Sequence, residues 1–164
     1  MAVNVSVSGK LPLQIAMEAR DRPAIVETFT PDAVFHSPLT GRLCFTGHDE
    51  IAALIDVLLK VFVDFHYVEQ AQVGDLAYIT ARARIGGRDL EIVDRLRLAP
   101  DGRIQEMTAF FRPLPAAAMA LRLIGAGLAR PKSRFRAAVV SFLARPLVLM
   151  AALGDRIGVK LVRL

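Results

Sequence analysis

Cysteine and tryptophan are almost absent from this sequence: tryptophan does not occur, and Cys44 is the single cysteine. One cysteine excludes an intramolecular disulfide and any zinc site built from cysteines. Long uncharged runs are also absent, because the longest are about nine residues, as at 1–9 and 146–154, against the ~18 that a membrane span requires. The first basic residue is Lys10, and no apolar core of secretory length accompanies it. We therefore expect a cytoplasmic protein without a transmembrane helix.

The length and amino-acid composition of the chain favour one globular domain. The chain has 164 residues, of which 54% are hydrophobic and 23% charged, so disorder and a coiled coil are both poor interpretations. Residues 1–112 carry 12 Lys and Arg against 15 Asp and Glu, whereas residues 113–164 carry nine against one. Basicity therefore belongs to the tail, whose aromatic residues are Phe135 and Phe142 alone. Since nucleic-acid binding usually combines basic residues with aromatics or a known motif, we expect no nucleic-acid partner.

Hydrophobic periodicity and turn residues predict helices first and strands afterwards. Helices are expected at 11–20, from Asp21 to about Phe29, and from Asp49 onwards. A turn at 30–32 precedes a short strand at 33–37, and a loop then runs to Gly47. Four further strands are expected at 62–70, 76–85, 90–98 and 103–111. The tail should form three helices, at 116–129, 133–144 and 147–164, because prolines punctuate it.

Two turns set the expected register of the last three strands. If the glycine pair at 86–87 forms a two-residue hairpin loop, Ile79 faces Asp94. If 99–102 is a four-residue loop, Asp94 faces Met107. Opposite charges then pair on one face of an antiparallel sheet, and apolar residues gather on the other. The apolar inner face consists of Ile79, Ala81, Ala83, Leu90, Ile92, Asp94, Leu96, Met107, Ala109 and Phe111.

Asp94 is the exception on this inner face, because it is the single carboxylate among aliphatic and aromatic side chains. Its expected neighbours, Ile79 and Met107, offer no charge, so burial should raise the pKa of Asp94 and favour the neutral acid. A neutral acid can donate a hydrogen bond to a ligand. Alternatively, Asp94 hydrogen-bonds a loop or a helix end, or faces a water-filled mouth.

Three segments of the chain resemble the nuclear transport factor 2-like superfamily, which includes ketosteroid isomerases and SnoaL-like polyketide cyclases. They are ARDRPAIVETFTPDAVFHSP at 19–38, TGHDEI at 46–51 and VDRLRLAPDGRIQEMTAFFRPL at 93–114. The resemblance covers roughly residues 11–112. It implies an α+β cone-shaped barrel, in which N-terminal helices pack on a strongly bent antiparallel sheet around an apolar ligand. We expect this domain at 1–112, followed by a basic amphipathic helical extension at 113–164.

The resemblance also implies roles for individual residues. It places the oxyanion-hole aspartate of the isomerases on Asp94, their general-base aspartate on Ser37 and their oxyanion tyrosine at about Leu13. A serine does not take a proton from carbon without another base, and a leucine donates no hydrogen bond, so that isomerase mechanism is not expected. Epoxide hydrolysis, known in the same superfamily, needs a second carboxylate and a bridging arginine, whereas Arg95 should point outward.

The sequence therefore predicts binding of a small, mainly apolar, steroid-like or polyketide-like ligand, with Asp94 as a neutral hydrogen-bond donor. Isomerase or cyclase chemistry is left open, with Ser37 as the second candidate for chemistry. The expected ligand-binding residues are Phe35, Ile79, Ala81, Ala83, Ile92, Met107, Ala109 and Phe111. No cofactor is expected, and no metal, because His36, His48 and His66 share no metal-ligand spacing.

The tail leaves several partners open. Arg156 and Lys160 beside Leu149, Leu153 and Ile157 make its last helix basic and amphipathic. The tail helices pack on their own barrel, join two copies in a homodimer, or let residues 146–164 dock on an anionic membrane surface, which would make the protein peripheral at the membrane. In the alternative function, the domain is a non-catalytic dimerising platform and the tail docks on a membrane or a partner.

Overall fold

Five helices and six strands make up residues 9–162, the part of the chain that the computed structural model describes. The helices are Pro12–Glu18 (α1), Arg22–Glu27 (α2), Gly47–Val61 (α3), Leu114–Ala129 (α4) and Arg134–Val162 (α5). The strands are Phe29–His36 (β1), Cys44–Thr46 (β2), Val63–Val73 (β3), Leu76–Ile85 (β4), Arg88–Leu98 (β5) and Ile104–Arg112 (β6). Helices beside a curled, unclosed sheet confirm the expected α+β cone with a helical C-terminal extension.

The six strands lie in one sheet in the order β2-β1-β6-β5-β4-β3. Neighbouring strands are antiparallel except β1 and β6, which pair in parallel, a feature that the sequence analysis did not predict. The expected turn at 30–32 is part of β1, whose register with β6 shifts between Phe29 and Val34. This irregularity accommodates Pro31, which has no N–H to donate to a regular ladder. The short strand β2 lies where a loop was expected.

The N-terminal helices begin where side chains satisfy free backbone N–H groups. The Gln14 side chain accepts from the Leu11 N–H at 2.7 Å before α1, and Asp21 accepts from the Ala24 N–H at 3.1 Å before α2. At the start of α3, the Glu50 carboxylate accepts from the Thr46 N–H at 2.7 Å. These caps fix the places where the chain enters each helix.

The β4–β5 hairpin has the predicted register, and Ile79 faces Asp94. Gly86 and Gly87 adopt φ of +54° and +78°, the left-handed conformations that a two-residue turn of this kind needs. The β5–β6 prediction is wrong by two residues, because Asp94 faces Ala109 and not Met107. A bulge at Leu98 and a longer turn cause the shift. A shift of two keeps each side chain on its face, so the predicted inner face survives.

Helix α4 belongs to the core of the cone. It packs on α3 and on strands β4, β5 and β6, and its Ala116, Ala120 and Ile124 are part of the main hydrophobic core. A separate small cluster of Ala118, Val148 and Ala151 joins α4 to α5. The two tail helices are therefore attached differently: α4 to the sheet, and α5 mainly to α4.

The tail has two helices and not the three predicted, because α5 continues through Pro146. Contacts with α4 on both sides of the proline hold the helix together although one backbone hydrogen bond is lost: before it, Arg122 Nε donates to Ser141 Oγ at 3.0 Å, and after it, Val148 packs on Ala118. Within the described residues, α5 is also long and apolar enough, by length and composition, to cross a membrane over Arg134–Gly158. The sequence analysis expected no transmembrane helix because no uncharged run is long enough, and α5 reaches this length and composition because Arg145 alone interrupts two uncharged runs.

Candidate functional site

An apolar pocket opens between the helices and the inner face of the sheet. It encloses about 810 Å³ including its open mouth, of which about 80 Å³ admits the centre of a water molecule. The pocket is therefore narrow in this structure, and a ring-sized ligand requires side chains to move aside. Seven sequence-predicted residues line it: Phe35, Ser37, Ile92, Asp94, Met107, Ala109 and Phe111.

Asp94 supplies the carboxyl group of this pocket. Its side chain is 4% exposed, and its Oδ1 atom has no hydrogen-bond partner. Its cross-strand neighbours are Ile79 and Ala109, neither of which carries a charge. Burial raises the pKa of Asp94 to about 7, so near neutral pH a large share of the molecules carry the neutral acid. A carboxyl group whose Oδ1 has no hydrogen-bond partner does not fit the alternative in which Asp94 hydrogen-bonds a loop or a helix end.

Tyr67 is a pocket residue that the sequence analysis did not select. It lies on β3 opposite Ala81, lines the pocket with Phe65, and its ring meets that of Phe65 edge-on at 5.0 Å. Burial, together with the Asp94 carboxylate, raises the pKa of the Tyr67 phenol well above its usual value. The phenol therefore keeps its proton, and a second O–H donor accompanies Asp94. Alternation of Phe65 and Tyr67 along β3 was the sequence signal for this position.

Ser37 lies on the pocket wall just after β1. Its Oγ accepts a hydrogen bond from the Leu39 N–H at 3.2 Å, which shapes the turn around Pro38. The neighbouring His36 lies outside the pocket, where its Nε2 is 3.5 Å from a Glu106 carboxylate oxygen. Among the hydrogen bonds of residues 9–162, none joins Ser37 Oγ to a base, so Ser37 offers a hydroxyl and not an activated nucleophile.

Three predicted ligand-binding residues, Ile79, Ala81 and Ala83, are buried but do not line the pocket. The sequence analysis placed them in the pocket because they lie on the inner face of the sheet. Instead α4 packs on β4, β5 and β6, and its buried residues join the same core as the two alanines. The pocket consequently lies towards α1, α3 and β1.

Helix α4 forms one wall of the pocket through Leu121, Ile124, Gly125 and Leu128. Sequence reasoning assigned these residues to the extension and not to the site, since nothing in their pattern separates a pocket wall from a packed helix. Gly125 has a second neighbour, because a Cβ atom there would lie 3.1 Å from Cγ1 of Val140 in α5. At this glycine, α4 separates the pocket from α5 by its backbone alone.

The groups needed for metal binding or epoxide hydrolysis do not converge in this part of the chain. Among residues 9–162, no cluster of three His, Cys, Asp or Glu side chains has the arrangement to hold a metal ion. His48 hydrogen-bonds the Phe29 carbonyl through Nε2 at 2.9 Å. Arg95 points away from the pocket, as predicted, with Nη2 3.2 Å from Glu106 and Thr108 oxygens. The wall that the structure describes thus offers one carboxyl, one phenol and two hydroxyl groups, those of Ser37 and Thr40.

Comparison with known proteins agrees with this geometry. The family model of the SnoaL-like domain matches residues 13–107. A steroid delta-isomerase from Pseudomonas aeruginosa is 27% identical and has a TM-score of 0.61, over 79% of this chain and 87% of that one. A bacterial protein with a cystatin-like fold from Silicibacter pomeroyi is 23% identical, with a TM-score of 0.65, over 76% and 86%.

Another similar structure is the epoxide hydrolase/cyclase-like enzyme SalBIII, described as having a role in pyran ring formation in polyether salinomycin. It is 20% identical, with a TM-score of 0.51, over 60% of this chain and 83% of that one. No curated protein sequence matches the chain significantly. Because the matched residues 13–107 make up more than half of the 164, the protein belongs to the SnoaL-like domain family.

Proposed function

We propose that the pocket binds a small, mainly apolar molecule through one carbonyl or hydroxyl group, which hydrogen-bonds to the neutral Asp94 carboxyl. The observation that carries this proposal is the unpartnered Oδ1 of Asp94 inside an otherwise apolar pocket. A buried polar atom without a partner costs about 1–3 kcal/mol. A ligand oxygen at this position removes that penalty, so the site favours ligands that carry a hydrogen-bonding oxygen.

The lining supports a ring compound of the steroid-like or polyketide-like class. Phe35, Phe62, Phe65 and Phe111 provide flat apolar surfaces, against which a ring compound packs once side chains move aside to widen the narrow pocket. Among similar structures, one is a steroid delta-isomerase and another is an epoxide hydrolase/cyclase-like enzyme with a role in pyran ring formation in a polyether.

The two hydrogen-bond donors of the pocket, Asp94 and Tyr67, determine which reaction step its residues could assist. Tyr67 keeps its proton near neutral pH, and Asp94 keeps its proton in about half of the molecules at pH 7, so both can stabilise negative charge that develops on a ligand oxygen. Abstraction of a carbon-bound proton needs an ionised base in addition to these two donors. The resemblance places the base of the isomerases at Ser37, and a serine is not ionised. We therefore propose ligand binding as the function, with oxyanion stabilisation as the contribution that these residues make to any isomerase-like or cyclase-like step.

A matched pair of probes tests the proposal. 2-Acetylnaphthalene carries a carbonyl that only accepts hydrogen bonds, whereas 2-ethylnaphthalene has the same shape without it. The wild-type protein should bind the ketone more tightly, by roughly 3- to 10-fold for one hydrogen bond, as measured by calorimetry at pH 6. Asp94→Leu should abolish this preference, and Asp94→Asn should retain part of it because its amide still donates.

Tyrosine variants provide the control for that experiment. Tyr67→Phe removes a donor from the pocket and should reduce the preference for the ketone, whereas Tyr78→Phe alters a 45% exposed residue on the outer face and should not. Equal affinities for ketone and hydrocarbon in the wild type and in Asp94→Leu would show that Asp94 does not bind ligand.

A further inference from the structure

Helix α5 exposes an unusually apolar side. Phe135 is 77% and Met150 70% exposed, although both are large apolar residues of a helix. The exposed residues on this side follow helical spacing, and we define them as the α5 apolar face: Phe135, Phe142, Leu149, Met150, Leu153 and Ile157. On the opposite side, the smaller residues Val148 and Ala151 pack on α4, and Ala144 is buried. Contiguous apolar surfaces of this kind are rare on soluble monomers and mark interaction sites.

Basic side chains border the α5 apolar face. Arg134, Arg136, Arg145, Arg156 and Lys160 are all exposed, and no ion pair found within residues 9–162 involves any of them. Asp155 is the only acidic residue in the whole 113–164 segment. The helix therefore presents apolar surface and uncompensated positive charge together.

From this juxtaposition we propose that α5 lies flat in the interfacial layer of an anionic membrane. The apolar face inserts between the lipid chains, and the arginine and lysine side chains extend from it to the phosphate groups. Each basic residue near such a surface contributes about a fivefold gain in affinity, which salt weakens by screening. The proposal does not rest on ligand binding in the pocket.

The attachment of α5 favours this flat position over a membrane span. The middle of α5 packs on α4, which is itself anchored in the main core by Ala116, Ala120 and Ile124. A spanning orientation separates α5 from α4 and brings Arg145 to the centre of the bilayer, where a charged residue is costly. A flat orientation keeps every contact that the structure shows.

Charge also favours lipid over a second copy of the same helix. Two copies that pair through the α5 apolar face bring five basic side chains of each helix towards those of the other. Asp155 is the single acidic residue that each helix offers in return. Like charges brought together across an interface destabilise it, whereas phosphate groups neutralise them.

Cosedimentation of the full chain with vesicles tests the proposal. We expect binding to phosphatidylcholine vesicles that contain phosphatidylglycerol, little binding to phosphatidylcholine alone, and release as salt rises from about 0.05 M to about 0.5 M. Arg145→Glu with Arg156→Glu should weaken binding by about 30-fold or more. The matched control is Arg42→Glu with Arg84→Glu, which changes the net charge equally at exposed positions outside the tail and should have little effect.

Variants of the apolar face separate the membrane from other partners. Phe142→Ser with Met150→Ser changes two exposed residues, so the fold should persist while vesicle binding is lost. Sedimentation without vesicles shows whether the same pair of changes converts a dimer into a monomer. No binding at low salt, equal binding to neutral and anionic vesicles, or a dimer that the serine pair dissociates would each overturn the proposal. Binding that salt and the charge reversals leave unchanged would instead indicate insertion across the bilayer and would also overturn it.

Discussion

Asp94 combines two properties that normally exclude each other in a folded protein: full burial and the lack of a partner for one carboxyl oxygen. A core optimised for stability alone would place an apolar residue between Ile79 and Ala109. The free-energy cost of burying this side chain is smallest when Asp94 is protonated, because a neutral acid loses less hydration free energy on burial than a carboxylate does. Stability at this residue is therefore linked to pH.

The sign of that linkage follows from the raised pKa of Asp94, about 7 in the folded protein against 3.8 as its ordinary value. The folded state holds a proton that the unfolded state releases, so the free energy of unfolding decreases as pH rises from about 4 to about 7. The full effect of Asp94 amounts to about 4 kcal/mol, present below pH 4 and lost above pH 7. Urea denaturation of the wild type and Asp94→Asn at several pH values measures it.

The Asp94→Asn variant has no proton to lose at this position, and it therefore provides the control. Its stability relative to the wild type should improve by the stated amount across the same pH window. Parallel stability profiles for the two proteins would show that Asp94 titrates normally.

At the scale of the helices, α4 is held by close approaches at its glycines. A Cβ atom at Gly127 would lie 2.5 Å from Cγ1 of Val57 in α3, closer than two carbon atoms can approach. Valine has no flexible end to move away. The absence of a side chain at Gly127 thus allows α4 to lie against α3 and close the pocket wall.

We expect Gly127→Ala to displace α4 and to destabilise the protein by about 1–3 kcal/mol, as overpacking of a tight contact does. Gly154→Ala is the matched control, because Gly154 lies in α5 with no atom within 4 Å of an added Cβ. Alanine there should stabilise the helix by up to about 1 kcal/mol. Thermal unfolding compares the two variants, and an equal response from both would show that the α3–α4 contact is not tight.

The elements also show which parts of the fold the sequence could predict. Charge alternation and the glycine pair at 86–87 were enough to predict the inner face and the position of Asp94 on it. The two-residue error at the β5–β6 turn did not matter, because side chains alternate between the two faces and a shift of two residues leaves each on the same face. The parallel β1–β6 pair and the α4 wall were missed, since both depend on contacts between segments far apart in the chain. Continuity of α5 was missed because Pro146 is tolerated by packing on α4 and not by any local pattern.

In the whole molecule, the tail is not one unit. Helix α4 completes the main core and the pocket, whereas α5 adds only the small cluster with α4 and leaves most of its large apolar residues exposed. The domain boundary at residue 112 and the assembly of two copies into a homodimer both remain predictions. The contacts of α4 nevertheless show where the chain tolerates shortening.

A chain that ends after Pro131 should stay folded and be more soluble than the full chain, because the α5 apolar face is removed with few buried contacts. A chain that ends after Arg112 also loses Ala116, Ala120 and Ile124 from the core, so it should aggregate. Solubility and circular dichroism of the two truncations test this difference. A soluble, fully folded chain ending after Arg112 would place α4 outside the cone.

Gly125 places the pocket and α5 on opposite sides of the same stretch of backbone. One side of this residue borders the pocket and the other lies against Val140, so no side chain separates a bound ligand from α5. At this point a single layer of backbone lies between Val140 of α5 and the pocket. By reciprocity, if a surface that binds α5 changes the ligand's affinity by some factor, the ligand changes affinity for that surface by the same factor.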